Sequence, residues 1–278
     1  MNDDYFILPT IVIYADSAAS ISAWLSMPTY FTTADILIPK KTQLRRTLTR
    51  TSKKIGVLMN ALRINDQAPN FTAQTTQGEI NFHDWIGDSW AMLFSHPKDF
   101  TPVCTTELGF MASIAEEFAK RDTKIIALSI DPVDDHMAWL KDVEKVGGTK
   151  VDYPIIADTD LKVAKLYSMF EADATGDASG RTAQTNATVR TVFIIGPDKN
   201  IKLMMIYPMT TGRNFNEILR VLDSMQLTAK HKVATPANWK NGDDVIISPA
   251  ISDEQARDIY TEGWETVTPY LRKVAQPK

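Results

Sequence analysis

Segments of strand length alternate with segments of helical period along most of this chain, and that alternation restricts its fold more than any other feature. Residues 90–94 are a short apolar run. From 105 to 120, Leu108, Met111, Ala112, Ala115, Phe118 and Ala119 recur at helical spacing. Residues 124–130 read as a β-branched-rich strand broken by Asp131-Pro132, residues 134–146 as a helix, and residues 153–157 as a further strand. Asp160 is placed to cap a helix running to Tyr167. Residues 188–195 and 201–207 flank a Gly196-to-Asn200 turn and predict a hairpin, followed by a helix over 214–226. Nearer the start, residues 75–80 read as a hairpin turn into a strand, and residues 171–188, rich in Ala, Gly, Thr and Ser, read as a surface loop. Strands alternating with helices and closed by a hairpin predict an α/β fold, a mixed central sheet with helices on both faces.

The strand at 90–94 leads into Phe94-Ser95-His96-Pro97-Lys98-Asp99-Phe100-Thr101-Pro102-Val103-Cys104-Thr105-Thr106-Glu107, which holds the only cysteine among 278 residues. A single cysteine excludes an intrachain disulfide framework and any Cys-x-x-Cys pair. Cys104 stands where strand and loop feed the first turn of a helix, and unpaired N–H groups and the positive dipole end favour a thiolate there. Thiols so placed react as nucleophiles, especially beside a cation. Thr101, three residues earlier, can aim a hydroxyl at the sulfur or at an oxygen bound beside it. A lone cysteine is ordinarily a small buried hydrophobe, but this polar, proline-rich setting suits a reactive one better.

Pro97-x-x-x-Thr101-x-x-Cys104 is similar to the active-site motif of peroxiredoxins. The fuller string from Ser95 to Glu107 resembles the one-cysteine, peroxiredoxin-6-like subgroup of the AhpC/TSA family, over residues 62–277. The resemblance implies a thioredoxin-like fold, which the alternation accommodates along with other α/β folds, plus a small C-terminal peroxiredoxin module. It also implies reduction of hydrogen peroxide and organic hydroperoxides in antioxidant defence and redox homeostasis. Cys104 would pass from thiolate to sulfenic acid, with Thr101 and Pro97 shaping the site. A lone arginine in a strand is usually a solvated edge residue. The resemblance instead sets Arg190 beside the thiolate, holding the departing oxygen, with Arg213 as a second arginine near the pocket. Glu107 would join an arginine network, and His96, otherwise an ordinary buried histidine, would donate a hydrogen bond or relay a proton near the sulfur. With no second cysteine, the sulfenic acid must be reduced by an external thiol, glutathione or a small redox protein, or by a disulfide between subunits. Relatives commonly pair as symmetric dimers, so a homodimer is expected.

Two other readings stand beside this one. Some relatives are credited with phospholipase A2-like lipid hydrolysis, and the matching positions are Ser89, His83 and Asp198. The local string Gly87-Asp88-Ser89-Trp90-Ala91, however, has alanine where a nucleophile elbow needs glycine. A non-enzymatic redox chaperone is the third reading. No cofactor is implied, and His83, His96, His136 and His231 show no metal-ligand spacing.

Composition sets the remaining bounds. Hydrophobic residues make up 44% and charged ones 23%, enough apolar material for a core, and the net charge of −4 with a pI near 5.6 argues against nucleic acid as a partner. No apolar run approaches the roughly 18 residues of a membrane span, and a cytoplasmic protein is the default expectation. Residues 1–58 differ from the rest. Their four acids face seven bases, Lys40, Lys41, Arg45, Arg46, Arg50, Lys53 and Lys54, with no acid between the first and last of these. This N-terminal extension is expected to lie outside the core, whether disordered, targeting-like for an organelle, or preceding a true start at Met59. The thioredoxin-like domain is expected over 59–226. A C-terminal module over 227–278, with a strand at 244–247 and a helix at 252–262, is marginal as an independent core and should pack on the larger domain or on a partner subunit.

Overall fold

The computed structural model describes residues 61–172 and 187–278. The N-terminal extension and most of the 171–188 loop therefore lie outside the described residues. In chain order, the hairpin β1 (Thr72–Thr75) and β2 (Gly78–Asn81) leads to a short helix α1 (Phe82–Ile86) and to β3 (Trp90–Ser95). Then come α2 (Pro102–Ala119), β4 (Thr123–Ser129), α3 (Val133–Gly147), β5 (Ile155–Ala157) and α4 (Lys162–Leu166). The hairpin β6 (Arg190–Ile195) and β7 (Ile201–Tyr207) and the helix α5 (Phe215–Lys230) follow. Seven strands form one mixed sheet in the order β2-β1-β5-β4-β3-β6-β7. β3, β4 and β5 are parallel, while β6 runs antiparallel to β3 and to β7, and β1 antiparallel to β5.

Alternation along the central strands assigns the two faces. Met92 and Phe94 of β3, Ile125 and Ala127 of β4, and Val192 and Ile194 of β6 pack against α2, α3 and α5. Ala91, Leu93, Ile126, Leu128, Phe193 and Ile195 pack on the other side with Phe82 and Ile86 of α1 and Val163 and Ala164 of α4. Both faces are covered, so these strands are apolar at nearly every position rather than at every second one.

The helix bearing the cysteine begins at Pro102, three residues before the periodic run that announced it. Proline suits the first helical position because its missing N–H would have been unpaired there anyway. The cap of α4 also differs from expectation. Asp158 accepts from the N–H groups of Val163 at 3.0 Å and Ala164 at 2.7 Å, one per carboxylate oxygen, whereas Asp160 meets only Lys162, its N–H at 3.2 Å and its Nζ at 2.6 Å.

Beyond α5 the chain forms a second, four-stranded antiparallel sheet, β8 (Val233–Ala234), β9 (Val245–Ile247), β10 (Glu265–Thr268) and β11 (Leu271–Val274), in the order β10-β11-β9-β8, with α6 (Asp253–Ile259) beside it. It has its own apolar cluster, in which Trp239, Val245, Ile247, Ile251 and Ala256 join Leu227 from the last turns of α5. That helix runs past 226 and supplies the anchor: Arg220 donates to the Trp239 carbonyl at 3.0 Å, and Ser224 and Thr235 share a hydrogen bond of 2.6 Å.

Candidate active site

Helix α2 lies on the face of the sheet occupied by Phe94 and Val192, and its first turn sits over the end of β3. Thr101 is the N-cap residue, Pro102 and Val103 follow, and Cys104 is fully buried in that first turn. Unpaired N–H groups at the helix start surround it with positive partial charge. On β6, Val192 pairs with Phe94, so Arg190, two residues earlier, points to the same face, toward α2. Its Nη1 donates to Cys104 Sγ at 3.4 Å and to Glu107 Oε2 at 2.7 Å, and its Nε donates to the Met209 carbonyl at 2.8 Å. Arg190 is 2% exposed and is no solvated edge residue.

Glu107 stands one helical turn after Cys104 and accepts four hydrogen bonds. Arg213 donates from its backbone N at 2.7 Å and Nε at 2.9 Å to Oε1, and from Nη2 at 2.7 Å to Oε2, where Arg190 Nη1 also donates. Burial pushes the Glu107 carboxyl up, but the hydrogen bonds and charges of Arg213 and Arg190 outweigh it and hold the carboxyl below its usual value. The remaining Arg213 nitrogen, Nη1, donates to the Ser95 carbonyl at 2.8 Å and the Thr191 carbonyl at 3.0 Å, and the guanidinium lies 5.0 Å from the Phe94 ring and 5.3 Å from Phe215. Two buried arginines and one carboxylate leave one positive charge in excess. That excess charge stands beside the Cys104 sulfur, 3.4 Å from Arg190 Nη1.

Thr101 Oγ1 donates to the Lys98 carbonyl at 2.8 Å, so the hydroxyl's lone pairs are left to accept from an incoming O–H. The Thr101 carbonyl receives the N–H of Thr105 at 3.0 Å and the Thr105 hydroxyl at 2.8 Å. Pro97 is buried at the start of this loop. Among the described residues no hydrogen-bond partner faces Arg190 Nη2, which keeps that nitrogen available to an oxygen brought to the sulfur.

His96 is fully buried, with Nε2 2.7 Å from Asp99 Oδ1 and its ring 5.2 Å from that of Trp139. Burial, opposed by Asp99, lowers its pKa and favours the neutral ring. Its Nδ1 is buried without a hydrogen-bond partner among the described residues. Asp99 itself lies inside the cysteine loop but carried no sequence signal of a role, and neither did its second partner, His136. Ligand atoms of His96, Asp99 and Asp131 fall within 4.8 Å of one another, a grouping that histidine spacing alone did not show. Both Asp99 oxygens face histidine nitrogens, and Asp131 Oδ2 accepts from the Asp99 N–H at 3.0 Å and the Ser129 hydroxyl at 2.8 Å.

The hydrolase set is not assembled. Ser89 donates to Asp122 at 2.8 Å, His83 Nε2 lies 2.8 Å from the Ala68 carbonyl, and Asp198 pairs with Lys202 at 2.6 Å and Asn200 at 3.1 Å. Each of the three has a different partner, and no serine–histidine or histidine–aspartate hydrogen bond links them.

Known proteins share this architecture. Residues 64–204 match the AhpC/TSA family, and residues 224–263 match the C-terminal domain of 1-Cys peroxiredoxin. The 1-Cys peroxiredoxin of Dictyostelium discoideum is 50% identical over 78% of this chain and 87% of its own length, and peroxiredoxin-6 of Gallus gallus 52% identical over 79% and 100%. Among solved structures, a cysteine-to-serine variant of the Arenicola marina peroxiredoxin 6 aligns with a TM-score of 0.72 and 48% identity, covering 78% of this chain and 100% of that one. A yeast mitochondrial 1-Cys peroxiredoxin, described with a thiol-resolving mechanism via glutathione/thioredoxin systems, aligns at 0.69 and 47% identity over 77% and 99%.

Proposed function

The chain belongs to the AhpC/TSA family of peroxiredoxins and is a thiol-dependent peroxidase, and from that premise we propose that Cys104 is its nucleophile, served by Thr101, Arg190 and Pro97. The thiolate of Cys104 attacks the nearer oxygen of a hydroperoxide. The S–O bond forms as the O–O bond breaks, and the sulfur leaves the step as sulfenic acid. The farther oxygen departs with the bonding electron pair and takes a proton to become water or an alcohol. Arg190 donates to the sulfur and has a further N–H pair for the oxygen on which charge grows. Thr101 accepts from the peroxide O–H and holds it in line. Pro97 shapes the loop, and Glu107 and Arg213 hold Arg190 in place.

An external thiol closes the cycle, because Cys104 has no partner cysteine in the chain. It displaces hydroxide from the sulfenic sulfur, a mixed disulfide forms, and a second thiol releases the Cys104 thiol. Glutathione or a small redox protein has this chemistry, in keeping with the yeast relative's description. We further propose a homodimer joined along β7, the outer strand of the seven-stranded sheet, with the C-terminal module walling the partner's site. In β7, Ile206 is 60% exposed on an edge otherwise rich in Leu and Met.

One observation carries the assignment: the fully buried sulfur in the first turn of a helix, 3.4 Å from the Arg190 guanidinium. Cys104→Ser exchanges one small atom for another and should keep the fold while abolishing hydroperoxide consumption with thiol reductant. A variant that still turns over peroxide at the parent rate would remove Cys104 from the mechanism. Peroxide consumption lost with Cys104→Ser but lipid hydrolysis retained would point instead to a second site around Ser89.

A further inference from the structure

A buried polar cluster lies at the loop that carries Thr101, and the chemistry above does not use it. Asp99, 2% exposed, is held through three of its atoms. Its N–H donates to Asp131 Oδ2 at 3.0 Å, Oδ1 lies 2.7 Å from His96 Nε2, and Oδ2 lies 2.5 Å from Nδ1 of the fully buried His136 on α3. His136 Nε2 faces the Ile156 carbonyl at 3.2 Å, so its two ring nitrogens have separate partners. Burial pushes the Asp99 carboxyl up, but hydrogen bonds from His136 and His96 bring it down to about 2, so it accepts from both rings as an anion.

Asp99 immediately precedes Phe100, whose φ of +54 lies in the left-handed region. That conformation is unfavourable for a residue with a side chain, so the loop keeps it only where its flanks are fixed. The flank on one side is Asp99. On the other is Thr101, whose hydroxyl bonds back to Lys98. One turn beyond His136 on the same face of α3, Trp139 donates to Thr105 Oγ1 at 3.1 Å and lays its ring against His96. Helix α3 thus grips both the loop and the first turn of α2.

We propose that Asp99 and His136 are positioning residues of the peroxidase, holding the 97–101 loop, and with it the Thr101 hydroxyl, where it receives the peroxide beside Cys104. The inference rests on the reading of Cys104 and Thr101 above. Neither Asp99 nor His136 touches the reacting atoms in this arrangement; both act through the loop.

The two nitrogens of His136 have separate partners, and that separates a positioning role from a purely structural one. In His136→Asn the amide nitrogen occupies the place of Nδ1 and keeps the bond to Asp99. In His136→Gln it reaches the place of Nε2 and keeps the bond to Ile156 while releasing Asp99. Two rates are compared in each full-length variant: single-turnover oxidation of Cys104 by hydrogen peroxide, and its alkylation by iodoacetamide, which needs the thiolate but not the Thr101 hydroxyl. His136→Gln should slow oxidation by about tenfold or more, in line with the cost of a small misplacement, with alkylation within about threefold of the parent. His136→Asn should restore at least half of the lost rate. Equal losses in the Asn and Gln variants, parallel losses in oxidation and alkylation, or no loss at all would each overturn the proposal. If His136→Gln does not fold, Asp99→Asn takes its place with the same expected split. Cys104→Ser, run alongside, distinguishes the two levels: peroxide consumption surviving in that variant refutes the assignment of the nucleophile, whereas a Cys104-dependent parent lacking the split refutes only the positioning role.

Discussion

Arg190 and Arg213 are both buried against Glu107, yet they differ in what else they hold. Arg190 reaches the sulfur and shares only one of the four hydrogen bonds to Glu107, whereas Arg213 makes the other three and ties down the Ser95 and Thr191 carbonyls. Arg190→Met should therefore act mainly on chemistry, lowering the rate of Cys104 oxidation by about 10²–10³, the usual effect of removing one donor to a developing oxyanion. Arg213→Met should act mainly on stability, costing about 3–5 kcal/mol, because it takes the charge and two of the four hydrogen bonds from a buried carboxylate and leaves the Ser95 and Thr191 carbonyls without their donor. Single-turnover oxidation and urea unfolding on both variants check the division, and matching profiles for the two would refute it. The sequence pointed to both arginines only through family resemblance. As isolated residues, a strand arginine and a loop arginine carry no mark of burial, and their shared carboxylate lies 83 and 106 residues away.

Helices α2 and α3 cross where Gly109 meets Gly147, and this approach lets α3 reach the cysteine loop. A Cβ on Gly109 would stand 2.9 Å from the Gly147 Cα and 3.0 Å from its N. Both are backbone atoms that cannot rotate aside. Alanine is favoured over glycine within a helix by about 1 kcal/mol, but overpacking of a close contact costs about 1–3 kcal/mol or more, so the contact should decide the sign. Gly109→Ala should lower the melting temperature by several degrees, measured by circular dichroism, and a rise would show that the crossing has slack. Helical period marks both helices in the sequence but not the crossing: Gly109 lies inside its run, and Gly147 falls one residue beyond the helix expected over 134–146. The same difficulty explains the C-terminal hairpin of β10 and β11, which no expectation included. Its strands are short, and residues such as Glu265, Thr266 and Val267 are exposed, so their alternation is weak. At α4 the misassigned cap has a local cause: Asp158 and Asp160 both stand before the helix, and only backbone geometry selects which carboxylate meets the N–H groups.

For the molecule as a whole, the proposed dimer turns on the outer edge of β7 beyond Ile201, whose N–H and carbonyl already bond to Asp66 and Asn65. Ile206→Lys places a charge on that exposed strand without entering either buried cluster. It should shift sedimentation from dimer to monomer while leaving the unfolding midpoint of the isolated fold nearly unchanged. A variant that stays dimeric at micromolar concentration would place the interface elsewhere. By itself, the sequence determined what depends on neighbours along the chain: the order of strands and helices from β3 to α5, two-faced burial of the central strands, and a lone thiol at a helix start preceded by Pro97 and Thr101. These are legible because periodicity and capping act within a few residues. Only the tertiary structure decided the partners. Pairing of β6 with β3 brings Arg190 to a sulfur 86 residues earlier, the return to α5 brings Arg213 to Glu107, and the packing of α3 carries His136 to Asp99 across 37 residues. Which buried charges meet is set by how the layers stack, and no local pattern encodes that.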